Sequence, residues 1–219
     1  MTDMKAQAAY LPIEKLKPFE GHPFHVKDDA EMEQLVYSII TQGLLTPISV
    51  RPIENNEYEV ISGHRRLHAC KKAGIETVPA LIYALNRDEA TIAMVDSNLH
   101  REKILPSEKA YAYKLKMEAI RHQGTSRQLG EKWSVKQISE SGADGERQVH
   151  RYIRLTELIP EILHMVDEGK IAFTPAVELS YLTEHEQQDL FETIESEDCT
   201  PSLSGHPDEA TEPGWRTGY

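Results

Sequence analysis

Four short strand-like runs stand along the chain: Ala9 to Ile13, Ile48 to Arg51, where apolar and polar residues alternate, Tyr58 to Ser62 and Val78 to Tyr83. A short alternating or continuous apolar run bounded by turn residues predicts a β-strand. Between the first two, Ala30 to Gln42 repeats with helical spacing. That spacing predicts a helix with Leu35, Ile39 and Ile40 on one face, Asp28 or Asp29 as its cap and Gly43 as its stop. A second helix-like run, Leu67 to Ala73, follows the third strand. Strands interleaved with helices over residues 1–95 predict a small mixed α/β domain.

No strand pattern returns after about Asp88. Glu89 to Asn98 reads as a helix, and Pro106 opens a longer one at a position where its missing N–H is harmless. Ala110, Tyr113, Met117 and Ile120 line one face of that helix, which ends near Gly124; this stripe reads as core. Further helices are expected at Lys136 to Ser141, Glu146 to Leu155, Pro160 to Glu168, Pro175 to Leu182 and Glu184 to Glu195. The chain thus reads as α+β, with an all-helical domain over residues 96–198. From Cys199 it turns rich in Pro, Gly, Thr and acids, so residues 199–219 are expected to be a disordered tail.

Within the helical part, residues 135–155 fit a helix-turn-helix. Ile138 anchors its first helix, and Val149, Tyr152 and Ile153 share the buried face of the second. Arg147, Gln148 and Arg151 then point outward, with His150 and Arg154 at the margins and Lys136 nearby. Arginine and glutamine are the side chains that read guanine and adenine edges in the major groove. The turn departs from the usual pattern, with Ala143 where a glycine commonly stands and Gly142 and Gly145 on either side.

Composition changes this picture only through its distribution. A hydrophobic fraction of 39% with 27% charged residues describes an ordinary soluble protein. No apolar run approaches a membrane span, the first residues lack a signal-peptide core, and Cys70 and Cys199 read as reduced thiols, so a cytoplasmic protein is expected. The net charge of −12 is lopsided: from Leu155 onward fifteen acids face only Lys170 and Arg216, leaving +1 on the first 154 residues. Arg101 to Lys136 alone carries +5 and includes Lys114 and Lys116, a local basic stretch suited to phosphates.

The sharpest local chemistry is Gly63-His64-Arg65-Arg66, where a strand-like run gives way to a helix-like one. Glycine lets the backbone approach a ligand, a helix start favours phosphate, and two arginines supply donor forks. Downstream stand Ser97-Asn98-Leu99-His100-Arg101-Glu102 and Pro106-Ser107-Glu108-Lys109-Ala110-Tyr111. With Leu44 to Pro52, Tyr58 to Ala73, Val78 to Ile82 and Gln148 to Pro160 in the same order, the chain resembles the ParB/Noc partition proteins from about Leu11 to Pro201. It looks most similar to the shorter ParB-like proteins of plasmids and integrated mobile elements.

The resemblance implies a ParB/sulfiredoxin-like fold for the first domain and a sequence-specific DNA-binding protein acting as a CTP-dependent clamp in partition. It implies that Gly63, His64, Arg65 and Arg66 bind CTP phosphates and that Asn98 helps hold Mg²⁺. It implies as partners double-stranded DNA bearing a centromere-like site, a ParA-type ATPase and a second copy in a homodimer, with no membrane and a nucleoid or plasmid association. Two departures matter. Ser97 stands where the family commonly has a glutamate, so at most a weak CTPase is expected, because a hard metal ion prefers carboxylate oxygens. His22-Pro23-Phe24 stands where many members carry Gln-Pro-Arg. The alternatives are a transcriptional regulator of a mobile element without CTP switching, and a ParB-like nuclease. Sulfiredoxin chemistry needs a cysteine in the loop that here reads Ser62-Gly63-His64-Arg65. The pairs His22/His25 and His64/His68 have no third ligand at metal-site spacing.

Overall fold

The computed structural model describes residues 6–101, 103–123, 138 and 144–197. They form two compact units that divide between Thr156 and Glu157. The first holds five strands: β1 (Gln7–Pro12), β2 (Leu16–Lys17), β3 (Ile48–Pro52), β4 (Tyr58–Ser62) and β5 (Thr77–Ile82). They make one mixed sheet in the order β1-β5-β3-β4-β2. β1 runs antiparallel to β5 and β3 antiparallel to β4, while β3–β5 and β2–β4 are parallel.

Four of the strands fall on the strand-like runs of the sequence. β2 does not, because two residues carry no period; Leu16 and Lys17 become a strand only by pairing with Tyr58 and Glu59. β4 is buried on both faces, with Val60 at 0% and Ile61 at 2% exposure. Val60 joins Leu11, Leu16, Met32, Ile39, Ile48 and Leu67 in one core under α1 (Ala30–Gln42) and α2 (His64–Lys72). Ile61 joins Phe19, Phe24, Ala90, Met94 and Ala112 in a second core under α3 (Arg87–Leu99) and α4 (Pro106–Gln123).

Capping settles where these helices begin. The Asp29 carboxylate accepts the Met32 N–H at 2.9 Å and caps α1, while Asp28 turns to α2 and meets Lys72 and His68, each at 2.9 Å. Asn86 and Glu89 form a reciprocal capping box, so α3 starts at Arg87, two residues before the periodic pattern. α1 ends at Gly43, whose φ of 75° suits glycine. Its inner face keeps Leu35 and Ile39 of the expected three, loses Ile40 and adds Met32 and Val36. Met32, Leu35, Val36 and Ile39 pack inward, and Ile40 is 63% exposed because a step of one residue turns it about 100° from Ile39.

A third core joins Tyr113 and Met117 of α4 to Ile138 and to Val149 of α5 (Glu146–Arg154), with Tyr152 and Ile153 packed against it. The remainder of the helix expected at Lys136 to Ser141, Lys136 itself, the Gly142-Ala143 turn and residues 199–219 lie outside the described residues. The second unit comprises α6 (Pro160–Asp167), α7 (Phe173–Leu179) and α8 (Glu184–Glu197). Its buried Gln187 accepts the Ile159 N–H at 2.8 Å and donates to the carbonyls of Glu157 and Leu182, each at 3.1 Å, tying the start of α6 to α8. Among the described residues no helix is long and apolar enough to cross a membrane.

Candidate functional site

The chain leaves β4 at Ser62, and Gly63 turns it into α2. Gly63 sits at φ 106°, a backbone conformation that L side chains rarely adopt. It also has close company: a Cβ there would lie 3.1 Å from Nη2 of Arg66. The missing side chain therefore serves both the turn and the packing of an arginine.

The three residues after Gly63 go to different places. His64 points inward and is 8% exposed; its Nε2 accepts the Phe19 N–H at 3.4 Å, and its ring lies 3.8 Å from that of His22. Burial first, then the charges of His22 and Arg101, hold its pKa down at about 3, so it is a neutral acceptor. Burial also lowers the pKa of His22, whose Nδ1–H donates to the Phe24 carbonyl at 2.8 Å. Nε2 of His22 is buried without a hydrogen-bond partner in the described structure. Arg66 folds back on the segment before β3, donating from Nη1 to the carbonyls of Thr46 at 2.7 Å and Pro47 at 2.6 Å. Arg65 alone reaches the open side.

There it lines a cavity of about 740 Å³ together with Lys27, Arg101, Lys103 and Ile104. Two acids on the same wall, Asp29 and Glu31, hold the Arg65 guanidinium at 3.4 Å each. The Arg101 guanidinium stands 5.6 Å from the Phe24 ring centre. Burial lowers its pKa, and the charge of Glu108 opposes that shift. Glu108 closes the back of the cavity: its carboxylate accepts the N–H of His25 at 2.8 Å and of Leu105 at 3.2 Å, joining the loop around His25 to the start of α4.

Of the residues singled out from the G-x-R-R loop and Asn98, only Arg65 lines this cavity. Asn98 is 2% exposed on α3 and donates from Nδ2 to the Met94 carbonyl at 2.7 Å and to the Ser97 hydroxyl at 3.3 Å. Ser97 gives its own hydroxyl to the same carbonyl at 2.9 Å. Asp96 is held by the ammonium of Lys116, itself 2% exposed. Lys116 therefore faces the α3–α4 seam rather than phosphates in solution. Sequence reading passed over Arg101, Lys27 and Lys103 as site residues, although Arg101 stands in the quoted Asn98 motif.

A second polar surface lies on α5. Val149 is fully buried against α4, and that fixes the opposite side of the helix outward. Arg147 and His150 are exposed, while Gln148, Arg151 and Arg154 are half-buried. Nη1 of Arg151 meets Oε1 of Gln148 at 3.4 Å.

The fold is thus a mixed-sheet domain with helices on both faces, carrying a cation-lined cavity, followed by a helical part. Residues 2–99 match the ParB N-terminal domain family. The nucleoid occlusion proteins of Bacillus cereus and Bacillus mycoides are 34% identical over 181 residues, 81% of this chain and 58% of theirs. The chain spans a little over half the length of these curated relatives. The C-terminally truncated chromosome-partitioning protein ParB of Caulobacter crescentus, complexed to the centromeric parS site, superposes with a TM-score of 0.54 at 23% identity over 88% of this chain and 94% of that one. A pNOB8-like ParB N-domain superposes with a TM-score of 0.57 at 18% identity over 92% and 88%. The chain belongs to the ParB/Noc family.

Proposed function

We propose that this protein is a ParB-type partition protein that binds double-stranded DNA at a centromere-like site and uses CTP with Mg²⁺ as its switch. The observation that carries the nucleotide half is the convergence of Arg65 and Arg101, 36 residues apart in sequence, with Lys27 and Lys103 on one cavity. Four cationic side chains in a shared hollow suit a polyphosphate, and guanidinium forks match its oxygens pairwise. The donor set fits the phosphates. For the metal, the carboxylates on the wall are Asp29, Glu31 and Glu108, whereas Asn98 has its amide nitrogen committed to α3. The bound nucleotide would supply the negative charge that draws these cations together. Arg65 would exchange Asp29 and Glu31 for phosphate oxygens, and Arg101 would keep its place over Phe24. Because Ser97 brings no carboxylate beside Asn98, hydrolysis is expected to be slow.

In this reading α5 enters the major groove with Arg147, Gln148 and Arg151 toward base edges and His150 and Arg154 beside them. Lys136 belongs to the same surface in the sequence reading. A homodimer, a ParA-type ATPase partner and service to a nucleoid, plasmid or mobile element complete the proposal by membership of the family. Calorimetry with Mg²⁺-CTP, ATP, GTP and UTP tests the switch. Selective binding of CTP that is lost in Arg65→Ala supports it, and equal affinity for all four rejects it. Footprinting on randomised duplexes with and without CTP tests the DNA half.

A further inference from the structure

The turn that leads into α5 carries a closed polar constellation. Asp144 stands one residue before Gly145, the N-cap of α5. Its carboxylate accepts the Tyr113 hydroxyl and the Lys109 ammonium, both at 2.5 Å and both from α4. The same ammonium lies 4.6 Å from the ring centre of Tyr152, inside α5, and the Tyr113 and Tyr152 rings are 5.9 Å apart. Tyr113 is 1% exposed, and burial together with the Asp144 charge pushes its pKa far up, so its hydroxyl stays a donor. The cluster touches α5 at its entrance and in its last turn, and both contacts come from one turn of α4.

Apolar contact alone does not orient a nine-residue helix well. Val149, Met117 and Ile138 hold α5 on α4, but burial is non-directional and tolerates small rotations. Hydrogen bonds are directional and weaken steeply when bent. Bidentate reading of a base edge needs its arginine or glutamine placed to a fraction of an ångström.

We propose that Lys109, Tyr113 and Asp144 are positioning residues for sequence discrimination, setting the rotation of α5 without touching DNA themselves. The inference rests on the reading of α5 as the helix that meets bases. Lys109 spends its charge on Asp144, so its part in binding is geometric rather than electrostatic.

The test uses the full chain and two probes: the duplex that wild type enriches from randomised DNA, and a random-sequence duplex of equal length. Tyr113→Phe removes only the hydroxyl, and Lys109→Met removes the ammonium but keeps much of the stem. Each is expected to weaken the enriched duplex by about tenfold, a loss on the scale of one base contact, with random-duplex affinity and salt dependence nearly unchanged. Lys109→Arg should restore part of the discrimination. The double variant Tyr113→Phe/Asp144→Asn, which leaves no buried carboxylate lacking a donor, provides the same reading should the single variants unfold. An unchanged ratio between the two duplexes, or an equal loss on both, overturns the proposal. If wild type enriches no sequence, the DNA reading itself fails and this inference falls with it.

Discussion

The cavity beside α2 and the outer face of α5 both present arginines, yet the two surfaces are held in opposite ways. At the cavity the arginines themselves are engaged by the protein: Arg65 by Asp29 and Glu31, Arg101 by the Phe24 ring. At α5 the tight polar contacts lie beneath the helix, in Lys109, Tyr113 and Asp144, while Arg147 stands exposed above them. A ligand entering the cavity must displace internal acids, so affinity there depends on what Arg65 gives up. A partner meeting α5 finds a face already oriented, so discrimination depends on how rigidly that face is carried.

The sharpest way to break the comparison is to remove the cavity's cations. Arg65→Ala and Arg101→Ala should each weaken Mg²⁺-CTP by about 1.5–3 kcal/mol, the worth of a charge-assisted hydrogen bond. The double variant should lose more than a hundredfold by calorimetry while DNA binding without nucleotide stays intact. Loss of DNA binding in the same variant would mean the two surfaces are not separate.

On α5, Arg151→Ala and Gln148→Ala should relax base preference by roughly 1–3 kcal/mol per lost bidentate contact, read by competition between enriched and random duplexes. Nucleotide affinity should stay at the wild-type value. Identical losses on both duplexes would remove α5 from the reading surface.

Acid tests the buried histidine of the G-x-R-R loop. The folded protein holds His64 neutral down to about pH 3, whereas the unfolded chain protonates it near 6.5. Between those values the unfolded state binds more protons, so stability is full above about 6.5 and drains as pH falls toward 3. From about pH 7 to about pH 5 the loss from this residue should be about 2 kcal/mol. His64→Gln, which keeps an acceptor for Phe19, should flatten that slope in urea titrations.

The smallest effect tests the internal competition. Asp29→Asn retains an acceptor for the Met32 N–H, and Glu31→Gln changes an exposed side chain. Each frees Arg65 from a charge and should tighten nucleotide binding by a small factor, roughly two- to fivefold, fading in high salt. Weaker binding would assign these carboxylates to the ligand's metal instead.

Much of the architecture was legible from spacing, because strand and helix periods, caps and stops act over a few residues. Ala30 to Gln42 shows this best: periodicity, an aspartate before it and a glycine after it reproduce the observed helix. The G-x-R-R loop and its strand-to-helix setting were equally readable, since the glycine must take a positive φ to make the turn.

What sequence alone could not tell was which side chains meet. Arg65 and Arg66 are neighbours with the same chemistry, but a step of one residue on α2 sends one to the cavity and the other to the carbonyls of Thr46 and Pro47. Tyr113 read as one more member of an apolar stripe, and only the packing of the turn before α5 gives its hydroxyl a carboxylate. Lys116 sits in a basic stretch by sequence and, by structure, is buried with its ammonium on Asp96. Local order follows from interactions between residues a few positions apart, whereas a site is assembled by the path of the chain. That path is chosen by burial of the whole core, which no short window of sequence contains.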